Sequence, residues 1–87
     1  GRKGQDLYYK RGMAYISIGE YRNANDDFNN AMEAGLHNKV VYSFKAVALE
    51  MLGEQELAEK MFDKAIEEDE SDSRLYLMRG KLRYNRK

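Results

Sequence analysis

Few side chains in this 87-residue chain could do chemistry, and none is spaced for it. His37 is the sole histidine and stands beside Asn38; with no cysteine and no second imidazole it has no companion for a metal site or an activated nucleophile. Ser17, Ser43, Ser71 and Ser73 have neither a strained elbow nor a base beside them. The acidic run from Glu67 to Asp72 lacks the alternating ligands and central glycine of a calcium loop, and it straddles a helix end. It reads as a solvated turn. The expectation is therefore no catalytic residue, no cofactor, no bound metal and no enzymatic activity.

What remains is binding chemistry. The last segment places Arg79, Lys81, Arg83, Arg86 and Lys87 around Tyr76 and Tyr84, types that can contact phosphates and stack on bases. A stripe this short more often belongs to a solvated helix or meets an acidic surface, so nucleic acid is the minor reading. Net charge is zero, but it is unevenly spread. Residues 1–38 carry five basic and five acidic side chains; residues 39–72 carry four and ten, net −6; residues 73–87 carry six and none, net +6. Such polarity can draw copies together head to tail or present unlike faces to partners.

These residues must be positioned by helices. Proline is absent, which favours uninterrupted helices, and apolar side chains recur with helical spacing. Residues 6–18 form the first, capped by Asp6, with Leu7, Tyr8, Tyr15 and Ile18 toward one side. Tyr21 to Ala34 form the second, burying Tyr21, Ala24, Phe28, Ala31 and Met32. Asn38 caps a third over 39–52, with Tyr42, Ala46, Leu49 and Leu52 inward. A fourth runs from Gln55 to Asp69 and buries Leu57, Ala58, Met61, Phe62, Ala65 and Ile66. Ser71 or Asp72 caps a fifth, from Ser73 onward. Gly19, Gly35 and Gly53 punctuate the helix ends, as glycine tolerates a left-handed exit. Short loops make consecutive helices antiparallel neighbours. No apolar run approaches the roughly 18 residues of a membrane span, and no signal-peptide pattern opens the chain. The lack of cysteine is compatible with a reducing compartment and specifies no organelle.

The helices repeat. Tyr8, Gly12, Gly19, Ala24, Phe28 and Ala31 recur 34 residues later as Tyr42, Ala46, Gly53, Ala58, Phe62 and Ala65, and Tyr76 and Gly80 open a third copy. A fixed period of this length marks a stacked helical array, whose units bury their apolar faces only against neighbours. Gly12 and Ala46 lie where the paired helices cross, with Phe28 and Phe62 filling the space beside them. A large residue at Gly12 or Ala58 would overpack the crossing.

In these residues the chain resembles the tetratricopeptide repeat family from Gln5 onward: an aromatic, then glycine, tyrosine, a second glycine and tyrosine, then Ala, Phe and Ala. Leu49 and Arg83 stand at the tyrosine position in the later copies. The family's leucine before the first glycine is basic here (Arg11, Lys45, Arg79), and its closing proline is replaced by Leu36 and Glu70. A pentatricopeptide RNA-binding array, of near-identical period, is the structural alternative. The resemblance implies an all-α, right-handed superhelical array of antiparallel helix pairs with five helices: an N-terminal tail at 1–4, units at 5–38 and 39–72, and a half unit or capping helix at 73–87 with a polar outer face.

It also implies that the first helices of successive units line a concave groove holding a segment of a partner protein. The stripe beside the paired face is Asp6, Tyr9, Met13 and Ile16, then Val40, Ser43, Val47 and Glu50 with Phe44 and Met51, then Arg74, Leu77, Met78 and Lys81. The expected groove residues are Tyr9, Met13, Ile16, Phe44, Val47, Met51, Arg74, Met78 and Lys81. This surface is apolar and methionine-rich at its centre and suits an amphipathic helix or apolar extended segment. The same side chains could instead pack between units. Family members that clamp acidic chaperone tails use basic and asparagine residues here. The corresponding positions are Tyr9, Met13, Phe44, Arg74 and Met78, of which only Arg74 could hold a carboxylate, so such tails are not the expected ligand. The alternative to a partner-binding scaffold is self-assembly, as a dimer or head to tail.

Overall fold

In the computed structural model, which describes residues 2–85 with side chains from residue 4 onward, five helices follow one another: α1 (Arg2–Ser17), α2 (Tyr21–Glu33), α3 (Lys39–Met51), α4 (Gln55–Glu68) and α5 (Ser73–Asn85). Gly19 and Gly53 leave their helices at φ +80° and +84°, the left-handed geometry that lets the chain reverse within three residues. Asn38 caps α3, its side-chain oxygen accepting from the Val41 amide at 3.0 Å. Asp6 caps nothing, because α1 begins four residues earlier and Asp6 lies inside it. The extra turn is fastened from outside: the Gln5 side-chain amide donates to the Ala34 carbonyl at 2.7 Å, joining the start of α1 to the end of α2.

Each helix packs on the next, and α1 also touches α3. Ala24, Phe28, Ala31, Ala46, Ala58, Phe62 and Ala65 have no solvent exposure, so the repeated small and aromatic residues are the core of each pair. The apolar side of the first helix is not covered at Leu7, 60% exposed, or at Ile18 just beyond α1, 70% exposed, and the expected burial of Leu57 on α4 fails at 47% exposure. The repeat explains Leu7. Its equivalents Val41 and Leu75 are buried in one cluster with Ala31 and Ala65, on the face that meets the preceding helix, and no described helix precedes α1.

The basic residues before the crossing form bonds as well as packing their stems. Lys45 donates to the Asn29 side chain, and Arg79 donates to Asp63 at 2.7 Å. Positions 29 and 63 are repeat equivalents, so this cation clamps each unit to the one before. Burial, then the Lys64 charge, pushes the Lys45 ammonium down from its ordinary value. With no described helix before α1, Arg11 turns to Asp27, its Nε and Nη2 donating to the two carboxylate oxygens at 2.7 and 2.8 Å. Asp27 is only 3% exposed, and this two-pronged bond satisfies a carboxylate that would otherwise be costly to bury.

Part of the charge polarity is consumed inside the molecule. On α5, Arg74 pairs with Asp72, Arg79 with Asp63 and Arg83 with Glu59. Three of the last segment's cations are therefore paired with carboxylates of the same chain, which weakens the charge argument for head-to-tail stacking. The outer face of α5 is mixed: Tyr76, Leu77 and Tyr84 are exposed on it beside Arg74, Lys81 and Arg83, while Leu75 and Leu82 are buried.

Candidate functional site

The groove begins at the core. Phe28, fully buried, lies between Tyr9 and Phe44, with ring centroids 6.4 and 6.5 Å away. Tyr9, Met13, Ile16 and Phe44 are half-buried and pack against the cluster that contains Phe28, while Val47 and Met78 pack against the cluster of Ala46, Leu49, Phe62 and Leu82. These side chains thus both pack between units and reach the surface. Burial pushes the Tyr9 hydroxyl up from its ordinary pKa.

Between α3 and α5 this floor opens into a hollow of about 260 Å³ lined by Val40, Ser43, Phe44, Leu75 and Met78, with Lys39, Asp72 and Arg74 at its rim. Phe44, Arg74 and Met78 of the expected set meet here. Met78 and Lys81 share a second hollow with Glu50 and Asn85. Tyr9, Met13 and Ile16 line neither, and Met51 stands exposed. Lys39 and Leu75 were not among the expected site residues, and Asp72 was expected only as a helix cap, a role its bond from the Arg74 amide fulfils; the 34-residue offset carries a signal for Lys39 and Asp72. Lys39 follows Gln5 by one period and likewise ties a first helix to the end of its pair, and Asp72 follows Asn38 and likewise sits before a helix start.

The rim cations are occupied. Lys39 donates to Asp69 at 2.6 Å and to Asp72 at 3.1 Å. Asp72 accepts from the Arg74 amide at 3.0 Å and from its guanidinium. The bonds from Arg74, then Lys39, hold the Asp72 carboxyl well below the ordinary carboxylate range; those from Lys39, then Ser71, lower Asp69. Lys39 is raised in turn by Asp69 and then Asp72. A carboxylate whose folded pKa is depressed stabilises the fold above its unfolded pKa, about 3.9 for aspartate, and that contribution fades as pH falls through the folded value. Thermal unfolding followed from pH 6 to pH 2 should therefore show a falling midpoint below about pH 4. Asp72→Asn should start from a lower midpoint and show a shallower fall. An unchanged slope in that variant would mean that the rim pairs do not couple to folding.

The acidic turn is thus a set of helix-start and inter-helix ligands for Lys39 and Arg74, and the described residues include no cluster of three or more metal-ligating side chains. His37 meets the Tyr42 hydroxyl at 3.2 Å. No described helix is long and apolar enough to cross a membrane.

Stacked antiparallel pairs with a groove on their first helices define a helical-repeat, protein-interaction fold. A tetratricopeptide repeat model matches residues 5–34 and 41–72, and the chain belongs to the tetratricopeptide repeat family. Among solved structures it is similar to the first TPR of Spaghetti (RPAP3) bound to HSP90 peptide SRMEEVD. That likeness has a TM-score of 0.86 and 25% identity, and it covers 97% of this chain and 67% of the other. Comparison with curated proteins gave no match.

Proposed function

We propose that this chain is a non-enzymatic scaffold that holds an apolar or amphipathic segment of a partner protein in its groove, over Tyr9, Met13, Phe44, Val47 and Met78. One observation carries the reading: the hollow between α3 and α5 is walled by Val40, Phe44, Leu75 and Met78, while its cations are bonded to the chain's own carboxylates. The similar RPAP3 domain binds an acidic peptide. In this chain an acidic peptide end would have to displace Asp72 from Arg74 and Lys39, whereas an apolar side chain enters without breaking a bond.

A titration series separates the ligand classes. Peptides selected from a random library on the immobilised protein should be rich in apolar residues and lose binding to Val40→Glu. That substitution lies in the first turn of α3, where a carboxylate suits the helix dipole and the fold should persist. The peptide SRMEEVD should bind at least about tenfold more weakly than the selected peptides, a gap of ~1.4 kcal/mol. Tighter binding of SRMEEVD, lost on Arg74→Ala, would replace this reading with an acidic-tail clamp.

A further inference from the structure

The two seams between successive units share one template and differ in charge. Across the second, between α4 and α5, Arg79 donates to Asp63 and Arg83 to Glu59, each at 2.7 Å. One period earlier the same four positions are Lys45, Asn29, Leu49 and Asn25. The seam between α2 and α3 thus keeps one cation and has amides where both carboxylates stand in the other. Met61 removes a further source, since it occupies the position at which Asp27 holds Arg11. Lys45 is half-buried; Asn29 takes one of its three N–H donors, and no described residue takes the other two. The charge that bears on it is a second cation, Lys64, exposed on α4 with its ammonium 5.8 Å from the centre of the Tyr42 ring. One turn of α2 before Asn29, the buried Oδ1 of Asn25 has no hydrogen-bond partner among the described residues.

We infer that this seam binds an oxyanion, a carboxylate or a phosphate group, between the ammonium groups of Lys45 and Lys64. The chain's own template assigns the missing charge. In the other two units the equivalent cation is held by a carboxylate, Arg11 by Asp27 and Arg79 by Asp63, and here no described carboxylate bonds to Lys45. Glu67 and Glu68 act on the Tyr42 hydroxyl rather than on Lys45. Burial and the like charge of Lys64 both disfavour the Lys45 ammonium, and an anion placed between the two lysines offsets both. Its arrival breaks no bond, because Asn29 keeps its donor while the two remaining N–H groups turn to the ligand. Lys39 has no such vacancy, as it is bonded to Asp69 and Asp72. None of these four seam residues, Asn25, Asn29, Lys45 and Lys64, lines the hollow between α3 and α5, so the site stands or falls independently of the groove.

The probes are inorganic phosphate and acetate, each titrated to about 100 mM against chloride at constant ionic strength, so that general screening cancels. Followed by NMR of the lysine side chains, phosphate should move the Lys45 and Lys64 signals along one saturating curve with a Kd below about 20 mM, while those of exposed Lys10 and Lys60 stay in place. Lys45 should then keep its proton to higher pH, as an ammonium beside an anion does. Acetate acting likewise extends the site to carboxylates; a response to phosphate alone narrows it to the dianion. Asn29→Asp supplies the carboxylate that Asp63 supplies one period later. It should raise the melting temperature in chloride and weaken phosphate by about tenfold. Lys64→Ala, at an exposed position of α4, should leave the fold intact and weaken phosphate by about threefold. Val40→Glu should change neither. A linear drift shared by all the lysines would overturn the inference, and so would a phosphate affinity unchanged by Asn29→Asp.

Discussion

Gly12→Leu should lower the stability of this protein by about 3 kcal/mol, the upper end of overpacking costs, while Gly80→Ala should raise it by about 0.5–1 kcal/mol. The two glycines occupy the same position of the repeat. Their opposite signs come from what stands opposite each. A Cβ at Gly12 meets three carbons of the Phe28 ring at 2.7–3.1 Å, and a leucine would put its branched end where the ring now lies. The helices could respond only by separating, which uncovers Ala24 and Ala31 as well. Alanine is a milder case, since Ala46 sits at the equivalent crossing beside Phe62. At Gly80 the Cβ enters empty space, leaving only the gain in helix propensity. Thermal denaturation followed by circular dichroism measures both. For a domain of this size 1 kcal/mol moves the midpoint by about 4–8 °C, so Gly12→Leu should fall by roughly 12 °C or more and Gly80→Ala should rise by a few degrees. A Gly12→Leu variant within a few degrees of the parent would show that the α1–α2 crossing is looser than the distances state.

Phe28→Ala should cost about 3–5 kcal/mol, as removal of a fully buried phenylalanine does. Phe62→Ala should cost a similar amount, because both rings are completely buried. The two differ in what they do to binding. Phe28 supports Tyr9 on one side and Phe44 on the other, so its loss removes the floor between the first unit and the hollow at Phe44. Phe28→Leu, which keeps most of the volume, separates packing from support. It should recover most of the stability but, by letting Phe44 sink, weaken library-selected peptides by about tenfold. Phe62→Leu should leave those peptides within about twofold, for its ring packs with Ala46, Leu49 and Leu82 and does not line the hollow. Equal losses of peptide affinity in the two leucine variants would show that global loosening alone accounts for the effect.

The crossing residues were legible because packing requirements recur with the period. Close helix axes demand small side chains at fixed positions, and an aromatic must fill the space beside them, so Gly12, Ala46, Phe28 and Phe62 announced themselves. The groove was half legible. Stripe counting on each first helix named Phe44, Arg74 and Met78, which the structure brings together across α3 and α5, but it did not name Lys39, whose partners Asp69 and Asp72 lie beyond the end of the paired helix. Leu57 was misplaced, and Leu7 and Ile18 stand exposed on their apolar side, for a related reason. Helical spacing tells which residues share a face, but says nothing of whether another helix covers it.

The sequence by itself determined the period, the helix pairs and the family, because those follow from local spacing and from side-chain volumes repeated along the chain. The tertiary structure alone decided where the charges go. A count of basic residues from 73 to 87 suggested attraction between molecules, yet Arg74, Arg79 and Arg83 reach Asp72, Asp63 and Glu59 of their own chain. Coulombic pairing depends on distances of a few ångströms, which for Arg79 and Arg83 are set by how α5 crosses α4 and not by separation in sequence. The same holds for exposure. Tyr42 and Tyr76 are one residue type at one repeat position, and only the presence of α4 over the first and of open space beside the second makes one of them core and leaves the other exposed.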